Sequence, residues 1–122
     1  MNYINIAGKD YPISFGFGAI MQYEQATGRP VLALFADFQN NTARFSDIVE
    51  LIACGMVNGG RKAGGQHVRQ YTAEQVADML DESENPADVL TMAMQLLAQS
   101  FEAQDAKKKT VAMQPVKRRK AS

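Results

Sequence analysis

The spacing of apolar residues changes from strand-like to helix-like after residue 15, and this change constrains the fold more than any other feature. Up to Phe15, apolar and polar residues alternate on both sides of Gly8-Lys9, as in the two half-buried strands of a hairpin. Gly8 supplies the positive φ that a tight turn needs. From about residue 18 onward, apolar residues recur at the spacing of amphipathic helices. The sequence therefore predicts an α+β fold: a small, mainly α-helical domain with an N-terminal β-hairpin over about residues 2–15.

Helix start and stop signals divide the rest of the chain into five predicted helices. They cover about residues 18–27, 31–38, 47–58, 73–81 and 86–105. Gly28 is the expected left-handed cap of the first helix, and Ser46 the expected N-cap of the third. Thr72 and Gln75 have the order of a capping box at the start of the fourth. The third helix is apolar on nearly every side, which predicts a central, buried position. The core face of the first helix is predicted to comprise Ala19, Ile20, Tyr23 and Ala26.

The segment Gly59–Gly65 follows the third helix and carries four glycines around Arg61 and Lys62. Glycine is conformationally permissive and weakens helices, so the segment is predicted to be a flexible linker. A mobile partner-binding loop is the alternative. His67 borders the segment without a second histidine or cysteine at ligand spacing, which gives a metal site no support.

The charge of the chain is strongly segregated. Residues 107–122 contain seven basic residues and no acidic one, so residues 1–106 keep six basic residues against all 13 acidic ones. A tail of this composition has too little apolar content to offset the entropy of ordering it. We therefore expect a single globular domain over residues 1–105, with helices over about 18–105, and a disordered basic tail over residues 106–122.

No constellation of catalytic residues is visible, and we do not expect an enzyme. The serines lack the Gly-x-Ser-x-Gly turn of a nucleophile, and the glycine-rich segment lacks the order of a phosphate-binding loop. No cofactor or metal is therefore predicted. The single cysteine, Cys54, lies on the same helix edge as Asp47 and Glu50, where it could be partly exposed; a small packing residue without a redox role is the favoured interpretation. No stretch is long and apolar enough to span a membrane.

The N-terminal segment Ile6–Ile20, followed by Tyr23-Glu24, Thr27-Gly28 and Pro30, resembles the small tail assembly chaperones of tailed phages and gene transfer agents. The resemblance implies a protein that binds the tape measure protein and keeps it soluble during tail assembly. It implies a place in the cytoplasm of the bacterial host and absence from the mature virion. The tail tube protein is a further expected partner, and self-association is also open.

The surface that binds a partner is predicted on the long fifth helix. Its apolar positions fill an arc of about 200°, which is wider than the ~100° stripe that one core needs. Either this helix is contacted on two sides within the domain, or its edges accept a partner helix or a second subunit. Met92 on one edge, and Met94 and Phe101 on the other, are the candidate partner-binding residues, because methionine adapts to varied apolar shapes.

Two other function classes remain as alternatives. A nucleic-acid-binding accessory protein would use the seven basic residues of the tail to neutralise phosphates. The acidic body would repel the same phosphates, so nucleic acid is not the expected partner. A minor structural component of the virion would assemble through the edge of the hairpin.

Overall fold

The computed structural model of the chain describes residues 2–64 and 70–113, with side chains described as far as residue 102. Strands β1 (Asn2–Ile6) and β2 (Lys9–Ile13) form an antiparallel hairpin. Five helices follow in the described part of the chain. They are α1 (Phe17–Thr27), α2 (Val31–Gln39), α3 (Phe45–Lys62), α4 (Ala73–Asp81) and α5 (Pro86–Met113). The predicted α+β class, mainly helical with an N-terminal hairpin, is confirmed.

The hairpin closes through a two-residue loop at Ala7-Gly8, since Ile6 pairs with Lys9. The loop therefore lies one residue earlier than the Gly8-Lys9 centre of the sequence pattern. Both loop residues have positive φ, 53° at Ala7 and 85° at Gly8, as in the type I′ turns that match the twist of a hairpin. Glycine adopts this conformation freely, whereas alanine is strained in it.

Helix α3 occupies the centre of the fold, as its apolar sequence predicts. Every residue from Leu51 to Gly59 is buried, and the helix packs against β2, α1, α4 and α5. Its start is two residues earlier than expected, with Arg44 and not Ser46 at the N-cap position. The side chain of Arg44 bonds Asp47 in the first turn, with Nε 3.1 Å from Oδ2. This ion pair fixes the start of the helix without a serine cap.

Two glycines bring α3 into backbone contact with β2. A methyl group placed on Gly59 would lie 2.5 Å from Cα of Ile13, and one on Gly55 would lie 2.5 Å from Cε1 of Phe15. The N–H of Ser14 donates to the carbonyl of Gly55 at 3.0 Å. Asn58, between the two glycines, donates its Nδ2 to the carbonyl of Ser14 at 3.2 Å. The prediction of a flexible linker from Gly59 is therefore wrong for the start of that segment, because this contact keeps α3 helical as far as Lys62.

The remaining helix boundaries follow the sequence signals closely. Gly28 caps α1 in the left-handed conformation, with φ 70°. Thr72 and Gln75 form the expected capping box. Helix α5 begins at Pro86 as predicted but continues to Met113, eight residues past the expected end. The rest of the predicted disordered tail, residues 114–122, lies outside the described residues, as do His67 and the end of the glycine segment. Within the described ranges, no helix has the length and apolarity to cross a membrane.

The contact at Gly59 can be tested against its neighbour in the same helix. Gly59→Ala should destabilise the fold by about 2 kcal/mol or more, because its methyl group would meet the backbone of β2. Gly60 has nothing within 4 Å of an added methyl group, so Gly60→Ala should be neutral or stabilise α3 by up to ~1 kcal/mol. Urea denaturation followed by far-ultraviolet circular dichroism measures both. Equal stability of the two variants would contradict the backbone contact.

A second prediction concerns the strained alanine of the hairpin loop. Ala7→Asn should stabilise the fold by about 0.5 kcal/mol, because asparagine is favoured where a type I′ turn requires positive φ. Gly8→Ala is the matched control and should destabilise, since it introduces the strain that Ala7→Asn relieves. Thermal unfolding of the three proteins checks the order. A loss of stability in Ala7→Asn would show that the methyl group of Ala7 makes a contact more important than its backbone strain.

Candidate partner-binding surface

The three residues predicted for partner binding on α5 have different surroundings in the fold. Met92 is exposed over 45% of its surface. Met94 is only 2% exposed and belongs to the core cluster. Phe101 is half-buried, and its ring packs edge-on against Phe35 of α2 at a centroid distance of 6.0 Å. The expectation that Met94 lies at an accessible edge is therefore corrected, and Phe101 already contacts a neighbouring helix.

The wide apolar arc of α5 is explained by contacts within the domain. Helix α5 packs against β1, α3 and α4, and its buried residues face these elements. They are Val89, Ala93, Met94, Leu96 and Leu97. Of the two interpretations of the arc, contact on two sides of the helix accounts for all of it except Met92.

A different helix carries the most exposed apolar pair in the described part of the chain. Phe17 and Met21 of α1 are 68% and 59% exposed. At ~100° per residue, both lie about 160° around the helix from Ala19, which is fully buried. They are one turn apart and therefore adjacent on the surface. We call this pair, Phe17 and Met21, the α1 ridge.

Helical periodicity identifies the core face of α1 but does not by itself identify the α1 ridge. Ala19, Ile20 and Tyr23 do face inward, whereas Ala26 is exposed, contrary to the expected core face. The spacing of Phe17 and Met21 was a usable signal: two large apolar residues at i and i+4 on the side opposite Ala19. Scattered apolar residues on a surface are ordinary, but an adjacent pair of large ones is a candidate contact.

Two cations lie beside the start of the α1 ridge. Arg61 and Lys62 form the basic last turn of α3. A methyl group on Gly16 would lie 2.9 Å from Nζ of Lys62, and one on Gly18 would lie 3.9 Å from Nη2 of Arg61. The first turn of α1 contains no acidic residue. The glycines on either side of Phe17 thus allow these positive charges to approach the first turn of α1.

A groove lies at the turn end of the hairpin, away from α1. It is formed by the β1–β2 turn, the α4–α5 loop and the start of α5. It has a volume of about 560 Å³. Its lining comprises Asn5, Ala7, Gly8, Glu82, Ser83, Glu84, Asn85, Asp88, Val89 and Met92. Met92 supplies exposed apolar surface, while the carboxylates of Glu82, Glu84 and Asp88 make the groove acidic. We call it the Met92 groove.

A cluster of charged residues joins the loop after α1 to the start of α3. Arg29 donates to Asp47 at 2.8 Å and to Asp37 at 2.9 Å, and Arg44 donates to Asp47 at 3.1 Å. Asp47 is 5% exposed, and two arginines compensate its burial. Burial, followed by the charge of Asp47, raises the pKa of the buried Tyr23 hydroxyl. Every charge of this cluster has a structural partner, which indicates a role in joining helices.

The single cysteine, Cys54, is buried in α3. It is 1% exposed, so the partial exposure that the sequence left open is not observed. Burial, together with the nearby carboxylate of Glu50, raises the pKa of the Cys54 thiol to about 12. In the described ranges, no group of His, Cys, Asp and Glu side chains is arranged to hold a metal ion. The two candidate surfaces of this fold are the α1 ridge and the Met92 groove.

Comparison with known protein families gives one match. The family model described as phage tail tube protein, GTA-gp10, matches residues 2–103. This range includes the hairpin, the α1 ridge and the Met92 groove. No curated protein and no solved structure matches the chain.

Met92 and Met94 of α5 provide a test of which side of this helix is accessible to solvent. Met94→Glu should destabilise the fold by ~3 kcal/mol or more, because it buries a carboxylate without a partner. Met92→Glu should cost much less, about 1 kcal/mol or below, since 45% of the surface of Met92 is already exposed. Chemical denaturation of the two variants makes the comparison within one helix. If Met94→Glu folds with unchanged stability, the side of α5 that carries Met94 is accessible to solvent and does not belong to the core.

Proposed function

This chain belongs to the family described as phage tail tube protein, GTA-gp10, and on that premise we propose that it is a tail assembly chaperone. Membership gives the chain a role in phage tail structure or assembly. In the proposed role it binds the tape measure protein in the cytoplasm of the bacterial host, keeps it soluble, and is absent from the mature virion. The role is one of binding and not of catalysis. The resemblance of Ile6–Ile20 and the residues after it to tail assembly chaperones supports the choice of a chaperone.

The observation that carries the proposal is the α1 ridge. Phe17 and Met21 are large apolar side chains held in water on a helix whose opposite side is firmly packed. A long helical client with apolar stripes aggregates unless those stripes are covered, and an apolar helix face can cover them. Methionine suits such a contact because its unbranched side chain repacks against different shapes. Arg61 and Lys62 at the start of the ridge would favour client segments with acidic residues beside the stripe.

A structural role in the tail is the second candidate, and the family description, which names a tail tube protein, favours it. The two strands of the hairpin pair only with each other in the described part of the chain, so each has an edge where a further strand could add. Pro12 lies in β2 and lacks an N–H donor, which weakens extension of the sheet. Detection of the chain in purified tails would separate this candidate from the chaperone, which is expected to leave before completion.

Co-expression with the tape measure protein tests the chaperone directly. The wild-type chain should raise the soluble fraction of the tape measure protein and co-purify with it. Met21→Glu should reduce co-purification at least tenfold, because loss of an apolar contact and burial of a charge together cost more than ~1.4 kcal/mol. Gln39→Glu is the matched control: it adds the same charge at an exposed position of α2, outside the α1 ridge and the Met92 groove, and binding should be retained.

Met92→Glu is the third arm of this experiment and tests the surface that the sequence predicts. If Met92→Glu abolishes capture and Met21→Glu does not, the client uses the Met92 groove and the α1 ridge is not the contact. If the wild-type chain neither binds nor solubilises the tape measure protein, the chaperone role is wrong.

A further inference from the structure

The α1 ridge and the Met92 groove both contain exposed apolar side chains and are bordered by opposite charges. The ridge is convex, apolar and bordered by Arg61 and Lys62, while the groove is concave, contains Met92 and is bordered by carboxylates. Among the described residues, none of the charges that border the two surfaces takes part in an ion pair. They are Arg61, Lys62, Glu82, Glu84 and Asp88. The unpaired cations at the ridge could therefore form ion pairs with the unpaired carboxylates at the groove.

The two surfaces lie at opposite ends of the hairpin, so one chain cannot bring them together. The groove is lined by the turn at Ala7-Gly8, whereas the ridge follows the far end of β2, where Ser14 bonds Gly55. A strand of five residues separates these ends by about 17 Å. The partner of each surface has to come from another molecule.

We propose that a second copy of this chain inserts its α1 ridge into the Met92 groove of the first. The contact is heterologous, since the surface used on one copy differs from that used on the other. Symmetric contacts are opposed by charge repulsion. A contact between two ridges would bring four cations together, and a contact between two grooves would bring six carboxylates together. A heterologous contact leaves one ridge and one groove free in every pair, so association continues beyond two chains.

The basic C-terminal segment is the other conceivable occupant of the acidic groove. Helix α5 leads away from the groove, and Met113 is 21 residues past Met92, about 32 Å along the axis. Truncation after Met113 distinguishes this occupant from the ridge of a second copy.

The inference goes beyond the proposed function and does not need a client. It has one consequence for that function: a second copy covers the same ridge that the client would use, so client and copy compete for it. In the absence of a client, self-association would thereby keep the apolar ridge out of water. A client would then bind by displacing the second copy from the ridge.

Sedimentation of the full chain alone tests the proposal. Few side chains form the contact, so association should be weak and should be followed up to about 1 mM protein. The average mass should rise above that of two chains, from 13.4 kDa for one, and should fall as salt screens the charges. Met21→Glu and Met92→Glu should each be monomeric, whereas Gln39→Glu, which changes neither surface, should associate like the wild type. Mixing the two monomeric variants should restore a pair and nothing larger, because only one intact ridge meets one intact groove.

The remaining outcomes overturn the proposal. A wild-type chain that stays monomeric at every concentration has no such contact. A wild-type chain that stops at two copies, with no rescue in the mixture, uses a symmetric surface. Loss of association on truncation after Met113, with Met21→Glu still associating, assigns the groove to the basic segment of another copy. Because no tape measure protein is present, none of these results bears on the chaperone role.

Discussion

The close approach of α3 to β2 is the contact on which the rest of this fold depends. Gly59 places helix backbone against strand backbone, and Gly55 lies against the side chains of Ile13 and Phe15. Asn58, between the two glycines, bonds Ser14 just after the strand. A two-stranded hairpin is marginal in water on its own. Here it is stabilised because one of its strands lies against the most buried helix of the domain, which fixes the direction in which the chain leaves β2.

That direction determines the position of both candidate contact surfaces. The chain leaves β2 through Phe15, whose carbonyl accepts a hydrogen bond from Ser100 of α5 at 2.7 Å, and turns at Gly16 into α1. Ala19 and Tyr23 then face α3, and Phe17 and Met21 consequently face solvent. At the other end of the hairpin, the turn reaches the start of α5 and forms one wall of the Met92 groove. The packing of α3 against β2 thus positions both surfaces, although the buried residues of α3 belong to neither.

Local signals predict the elements whose boundaries are set locally. The alternation around Gly8, the cap at Gly28 and the capping box at Thr72 all act within a few residues. The sequence places the cap and the capping box correctly and the hairpin loop to within one residue. The ends of α3 could not be predicted in the same way. Gly59 is unfavourable in a helix by itself, and only the strand packed against it explains why the helix continues. Arg44 likewise occupies the N-cap position expected for Ser46, and its partner Asp47 is also bonded by Arg29, in the loop between α1 and α2.

The candidate site was less predictable than the fold, for a related reason. Periodicity shows which residues of a helix are apolar, but it does not show how many neighbours that helix has. Helix α5 has neighbours on two sides and buries Met94, whereas α1 has its main neighbour, α3, on one side and leaves Met21 in water. Two methionines with similar sequence surroundings therefore have opposite environments. A wide apolar arc indicates a central helix, while an apolar pair outside an otherwise complete core face indicates a contact surface, and the α1 ridge is of this second kind.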